Sequence, residues 1–154
     1  MSLVKDTKPI DEVDPELYDG IFVLGGQSPM VTMIGDKKLH RFVAEFYEMG
    51  KMTALVCHGT CILLKTKLSD GSYLVDGKTW TGFANAEEQY ADEFVGQKIQ
   101  PFRIEDEAEK MEGTNFIVQG ALRPHAVRDG TLVTGQQQYS GTAAARLVIE
   151  ALGV

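Results

Sequence analysis

Two cysteines, three histidines and one tryptophan in 154 residues leave this chain with few of the side chains that usually carry chemistry. Two cysteines are too few for a disulfide framework, so each thiol reads as catalytic, redox-sensing or simply buried. No apolar run approaches the ~20 residues that span a bilayer, which argues against a membrane protein. The opening "MSLVKDTKPIDEVDPEL" also lacks an apolar segment of signal-peptide length. A cytoplasmic location is the expectation. Basic residues are in deficit, 15 against 22 acidic, for a formal net charge of −7. The basic clusters, Lys37-Lys38 and Lys65 with Lys67, are short, so no nucleic-acid partner is expected. Internal repeats and low-complexity tracts are lacking too.

What is present is ordinary for a globular domain: 44% apolar and 24% charged residues. The length suits one domain with a full core. Residues 1–17, acidic and polar with two prolines, read as a poorly ordered lead-in, and 18–154 as a single domain.

Strand and helix patterns alternate along that domain. "GIFVLGG" (20–26) has the apolar run and diglycine stop of a strand buried on both faces. "DKKLHRFVAEFYEMGK" (36–51) spaces its apolar residues as a helix, with Asp36 near its start and Gly50 near its end. "MTALV" (52–56) predicts a second strand and "GTCILLKTKL" (59–68) a second helix. "SDGSYLVDGKTWTGF" (69–83) predicts a hairpin, because "SDGS" and "DGK" form turns. Short acidic helices follow at 85–94 and 104–112, then strands at 115–122 and 130–136. An amphipathic helix over 140–153 begins at a Ser cap. The alternation predicts an α/β fold with a mostly parallel sheet, whose ligands gather at the carboxyl ends of its strands.

"ALVCHGTCILL" (54–64) pinches a cysteine and a histidine between a buried strand and a buried helix. A nucleophile on such a turn is lifted from the sheet beside helix N–H groups, which favour a thiolate. Gly59 supplies the small residue that a close-packed turn needs. The pattern is that of a nucleophile elbow with Cys57 as nucleophile and Leu55 in place of the elbow's first glycine. The competing reading is an inert core thiol, and for Cys61, among Ile62, Leu63 and Leu64, that reading is the expectation. Cys57, His58 and Cys61 make only one cluster of candidate ligands, whereas structural zinc sites usually pair two. His40 and His125 add no ligand spacing, and no metal or other cofactor is expected. Gly25-Gly26 reads either as a simple turn or as bare amides facing a developing oxyanion.

In order along the chain, "YDGIFVLGGQSPM", "ALVCHG", "LSDGSYLVDGKTWTGFANAEE" and "DGTLVTGQ" resemble the ThiJ/PfpI superfamily, which is related to class I glutamine amidotransferases. More narrowly they are similar to its glutathione-independent glyoxalases and stress chaperones. The resemblance runs from about Tyr18 to the C-terminus. It implies a flavodoxin-like three-layer sandwich, with Cys57 as nucleophile, His58 as base, and Glu88 as the acid that orients the histidine. Gly25, Gly26, Gly59 and the amide of His58 would bind substrate oxyanions. The residues alone leave Glu88 open, since a solvated helix face shared with Glu87 is the plain alternative.

The implied activity is that of a lyase: conversion of methylglyoxal-type 2-oxoaldehydes to 2-hydroxy acids, in a cytoplasmic homodimer. The alternative is a weakened homologue acting as a redox-sensing or holding chaperone, or as a deglycase-like stress protein. Departures from the pattern favour that alternative. "GGQS" replaces "GGHG", Thr60 replaces the proline after "CHG", and "TGQQQY" replaces "TGQNP". Nothing before Tyr18 resembles the superfamily's first strand, or its glutamate that hydrogen-bonds the thiol. A sheet missing its first strand is therefore expected, whether the chain is a fragment, is completed by a partner chain, or is degenerate.

Overall fold

The structure, a computed structural model, describes residues 5–154. Four strands form the main sheet: β1 (Gly20–Val23), β2 (Met52–Val56), β5 (Ala126–Asp129) and β6 (Leu132–Gly135). Their order is β1-β2-β6-β5, parallel except for the β5–β6 hairpin. A separate parallel pair joins β3 (Thr79–Trp80) to β4 (Asn115–Phe116). Helices α2 (Lys37–Glu48) and α5 (Gly141–Leu152) pack against the main sheet, and α3 (Asn85–Val95) and α4 (Ile104–Ala108) lie beyond its carboxyl end. A single-turn helix α1 (Pro29–Thr32) follows β1.

Strand pleating divides the core into two faces. Met52, Ala54 and Val133 point toward α5, where Ala144, Leu147, Val148 and Ala151 meet them. Leu55 and Leu132 point the other way, into a larger cluster with Val43 of α2, Ile62, Leu63, Trp80 and Ile104. Helices thus cover both faces of a mostly parallel sheet, as expected for the three-layer α/β sandwich. At the start of α2, the Asp36 carboxylate accepts from the amides of Lys38 (2.9 Å) and Leu39 (3.1 Å).

Four local expectations change. The apolar run at 20–26 predicts burial on both faces. Instead β1 forms an edge of the main sheet among the described residues, with Phe22 exposed and Leu24 beyond it 63% exposed. No described residue pairs with its outer edge. The helix expected over 59–68 is a 3-10 segment, Cys57–Leu64, so its backbone is wound more tightly from the cysteine onward. The hairpin expected over 69–83 reduces to one antiparallel bridge between Lys67 and Tyr73, because Thr79 and Trp80 pair with β4 instead. The strand expected over 115–122 is only Asn115–Phe116.

Residues 1–4 of the expected lead-in lie outside the described residues. Ile10–Glu12 and Pro15–Leu17 form two 3-10 turns. Lys51 Nζ ties the second down by donating to the carbonyls of Pro15 (2.7 Å), Glu16 (3.1 Å) and Tyr18 (2.7 Å).

Candidate active site

β1 and β2 run parallel and end side by side, with Val23 opposite Leu55 in the register. Both chains turn at the next residues, and the turns interlock. A Cβ on Gly25 would lie 2.6 Å from the Cβ of Cys57 and 3.0 Å from the amide nitrogen of His58. A Cβ on Gly59 would lie 2.8 Å from the carbonyl oxygen of Leu24. Only glycine at both positions lets the two turns approach this closely. Gly26 then carries the chain away with φ +105°.

Cys57 itself has φ +60°, in the left-handed region that side chains disfavour. Such strain on a non-glycine residue persists only where the surroundings over-determine it, and it concentrates at functional sites. Thr60 supplies one restraint, since its buried hydroxyl donates to the Cys57 carbonyl at 2.7 Å. Where the superfamily pattern has a proline ring, this chain therefore holds its elbow with a hydrogen bond.

From Cys57 a continuous polar chain runs inward. Its Sγ lies 3.5 Å from His58 Nδ1, and His58 Nε2 lies 3.0 Å from Glu88 Oε1. His58 and Glu88 are both buried, and the imidazole stacks on Phe83 with ring centroids 3.9 Å apart. Burial alone would lower the His58 pKa. Hydrogen bonds to Cys57 and Glu88, reinforced by their charges, outweigh it and raise the value from 6.5 to about 9. His58 is thus an imidazolium at neutral pH, with Nδ1–H directed at sulfur and Nε2–H at carboxylate. Glu88 Oε2 is buried without a hydrogen-bond partner among the described residues. The solvated helix face offered as the alternative for Glu88 is not what forms, because the first turn of α3 points into the protein.

Sequence reasoning passes over Glu87, which is equally buried and belongs to a different network. Its Oε1 accepts from Gln136 Nε2 (2.6 Å) and from the Leu122 amide (3.1 Å), and its Oε2 accepts from the Ala84 amide (3.1 Å). Gln136 also receives the Gln119 amide at 2.7 Å, so Glu87 and Gln136 together pin residues 119–122. Leu122 has φ +59° there. The signal for it is the position of Glu87 three residues after Ala84, the spacing at which a glutamate reaches back to cap its helix.

Cys57 and His58 open onto a cavity of about 430 Å³, whose wall includes Gly26, Gln27, Glu87, Tyr90, Phe94, Leu122 and Tyr139. Gln100 Nε2 donates to the Gln27 carbonyl at 3.4 Å and also contacts Gln27 Oε1. A backbone carbonyl only accepts, so the Gln100 atom is nitrogen and Gln27 Oε1 is its acceptor. The three departures from the superfamily pattern therefore have defined places: Gln27 and, from "TGQQQY", Gln138 on the cavity wall, and Thr60 under the elbow.

Cys61 lies apart from this arrangement. It is buried, donates to the Pro29 carbonyl at 3.5 Å, and burial pushes its pKa up to about 12. Both thiols are free. His40 faces the Met33 carbonyl at 3.1 Å, and the chain at His125 reaches Ser140, so neither histidine joins Cys57.

The DJ-1/PfpI family model matches residues 2–151. The chain belongs to the DJ-1/PfpI family. Among its relatives is a Schizosaccharomyces pombe protein named "Probable glutathione-independent glyoxalase hsp3103", 32% identical over 97% of this chain and 59% of that protein. The crystal structure of glyoxalase III from Candida albicans superposes with a TM-score of 0.77 at 28% identity, covering 92% of this chain and 60% of that one. A Francisella tularensis protein, Rapid Encystment Protein 24 KDa, shares the fold with a TM-score of 0.87 at 24% identity, over 98% of this chain and 65% of that one. The chain thus spans about three-fifths of the length of these relatives. No helix among the described residues is long and apolar enough to cross a membrane.

Proposed function

We propose that Cys57 is the nucleophile of a glyoxalase-type lyase acting on small 2-oxoaldehydes without glutathione. The unbroken chain from Cys57 Sγ through His58 to Glu88 carries this reading, and the names borne by the relatives support it.

In the proposed reaction the Cys57 sulfur adds to the aldehyde carbon, and the carbonyl oxygen takes a proton from the His58 imidazolium, giving a hemithioacetal. The amides of Gly26 and His58 stabilise the charge that develops on oxygen. Neutral His58 then takes the C1 proton and the electrons move to the C2 oxygen; the C1 hydroxyl proton passes to that oxygen, and His58 returns its proton to C2 as the C1 carbonyl forms, leaving a thioester on Cys57. Water cleaves that thioester, releasing the 2-hydroxy acid and the thiol, so the cycle consumes only water and dicarbonyl. His58 therefore acts first as acid and then as base, the order its raised pKa favours. Glu88 fixes the ring's tautomer and orientation throughout.

The test is lactate formation from methylglyoxal with glutathione absent. Loss of at least ~100-fold in Cys57→Ala is expected, within the range for removing a covalent nucleophile. An unchanged rate in that variant overturns the proposal.

A further inference from the structure

The cavity at Cys57 is far larger than the smallest 2-oxoaldehyde requires. Its volume of about 430 Å³ falls in the range that encloses ligands of drug size. Its outer wall is also the wrong material for a small polar substrate. Phe94 is 84% exposed, and Tyr90 and Tyr139 are each 58% exposed. Tyr90 and Phe94 stand four residues apart on α3, so both rings leave the same face of that helix. Tyr139 comes from the segment before α5, and Leu122 from the chain pinned by Glu87. Phe83 differs, because its ring is already occupied by the His58 stack. None of the three rim aromatics stacks on another ring among the described residues.

Exposed aromatic surface that is contiguous with a nucleophile marks a binding groove. Here the apolar surface lies at the mouth, and the buried Cys57 and His58 supply the polar groups at the base of the same cavity. A ligand matching that division has a dicarbonyl head and a flat apolar body. We propose that the site takes 2-oxo compounds bearing an aromatic substituent in preference to methyl-substituted ones, with Tyr90, Phe94 and Tyr139 as the residues that read the substituent. This specificity rests on the proposed dicarbonyl reaction for its chemistry, while the binding preference is measurable without turnover. Stacking and apolar burial strengthen together as the substituent grows from methyl to phenyl.

The experiment has two arms on the same variants. One measures kcat/KM for phenylglyoxal against methylglyoxal. The other measures protection of Cys57 from iodoacetamide by the unreactive oxo acids benzoylformate and pyruvate. In the unmodified chain, benzoylformate is expected to protect at about tenfold lower concentration than pyruvate, and kcat/KM is expected to favour phenylglyoxal. Both preferences are expected to fall toward unity in Phe94→Ala and Tyr139→Ala and to persist in Val95→Ala, whose side chain lies outside the cavity. Equal protection by the two acids, or preferences that Phe94→Ala leaves unmoved, overturns the inference. If Phe94→Ala changes the sedimentation coefficient but not the preferences, the rim is an interface between copies and the inference again falls. Selective protection without turnover of either aldehyde supports the aromatic subsite while removing the proposed reaction. Turnover of both without selectivity does the reverse.

Discussion

Gly25 lies so close to Cys57 that a methyl group on the glycine would stand 2.6 Å from the cysteine Cβ. The neighbouring atoms it would meet, the Val56 carbonyl oxygen at 2.9 Å and the His58 amide nitrogen at 3.0 Å, are backbone. Neither can rotate away. Gly25→Ala must therefore push the end of β1 off the elbow, at a cost of about 1–3 kcal/mol, the usual range for overpacking. Denaturant unfolding should show the loss of stability, and iodoacetamide trapping should show an altered Cys57 rate. Stability and trapping rate both equal to those of the parent chain would contradict the interlocked turns.

His58 ties stability to pH. The folded chain holds its proton to about pH 9, whereas an unfolded histidine releases it near 6.5. The resulting stabilisation is complete below pH 6.5 and is lost as pH rises through 9. Glu88→Gln removes the carboxylate charge, so the His58 pKa should fall and the loss, still starting near 6.5, should be smaller and end at lower pH. Unfolding midpoints between pH 6 and 9.5, with the His58 ring protons followed by NMR, test both statements. A midpoint profile identical in the parent and Glu88→Gln would refute this account.

Strain at Cys57 separates two otherwise similar replacements. Alanine keeps a Cβ at φ +60° and keeps the penalty; glycine removes it. Cys57→Gly is expected to be more stable than Cys57→Ala by about 1 kcal/mol, the lower end of the cost of a left-handed L-residue. On the proposed reaction both are inactive. Thermal unfolding of the pair is the measurement, and greater stability of the alanine variant would show that the turn relaxes without the thiol.

Both oxygens of Glu87 accept hydrogen bonds, so glutamine is not a conservative replacement there. In Glu87→Gln the new NH2 group must face either the Ala84 amide or the Gln136 and Leu122 donors. Leaving a buried donor unsatisfied costs about 1–3 kcal/mol. Because the network holds Leu122 on the cavity wall, on the proposed reaction KM should rise more than kcat falls. An equal fall in kcat at constant KM would instead place Glu87 in the reaction itself.

Much of the site is legible in the chain itself, because its parts are local in sequence. An apolar strand that stops at "GG", and another that runs into "CHG", specify where two chains must turn and which residue the second turn presents. The helices at 36–51 and 140–153 carry their own boundary signals and periodicity and form as α2 and α5, and the acidic run at 85–94 forms as α3, each with shifted ends. Glu88 is legible only through resemblance. Two adjacent glutamates at a helix start look alike until packing sends one to His58 and the other to Gln136 and Leu122.

What the residues determined by themselves was the alternation of strands and helices, the elbow at Cys57 and the small residues around it, since propensity, turn chemistry and sterics act over a few positions. Only the tertiary structure decided the pairing of Thr79–Trp80 with Asn115–Phe116, the exposure of β1 as an edge strand, and the charge of His58. Each depends on groups brought together from distant parts of the chain: strand partners, covering helices, and a carboxylate thirty residues along from the imidazole it holds.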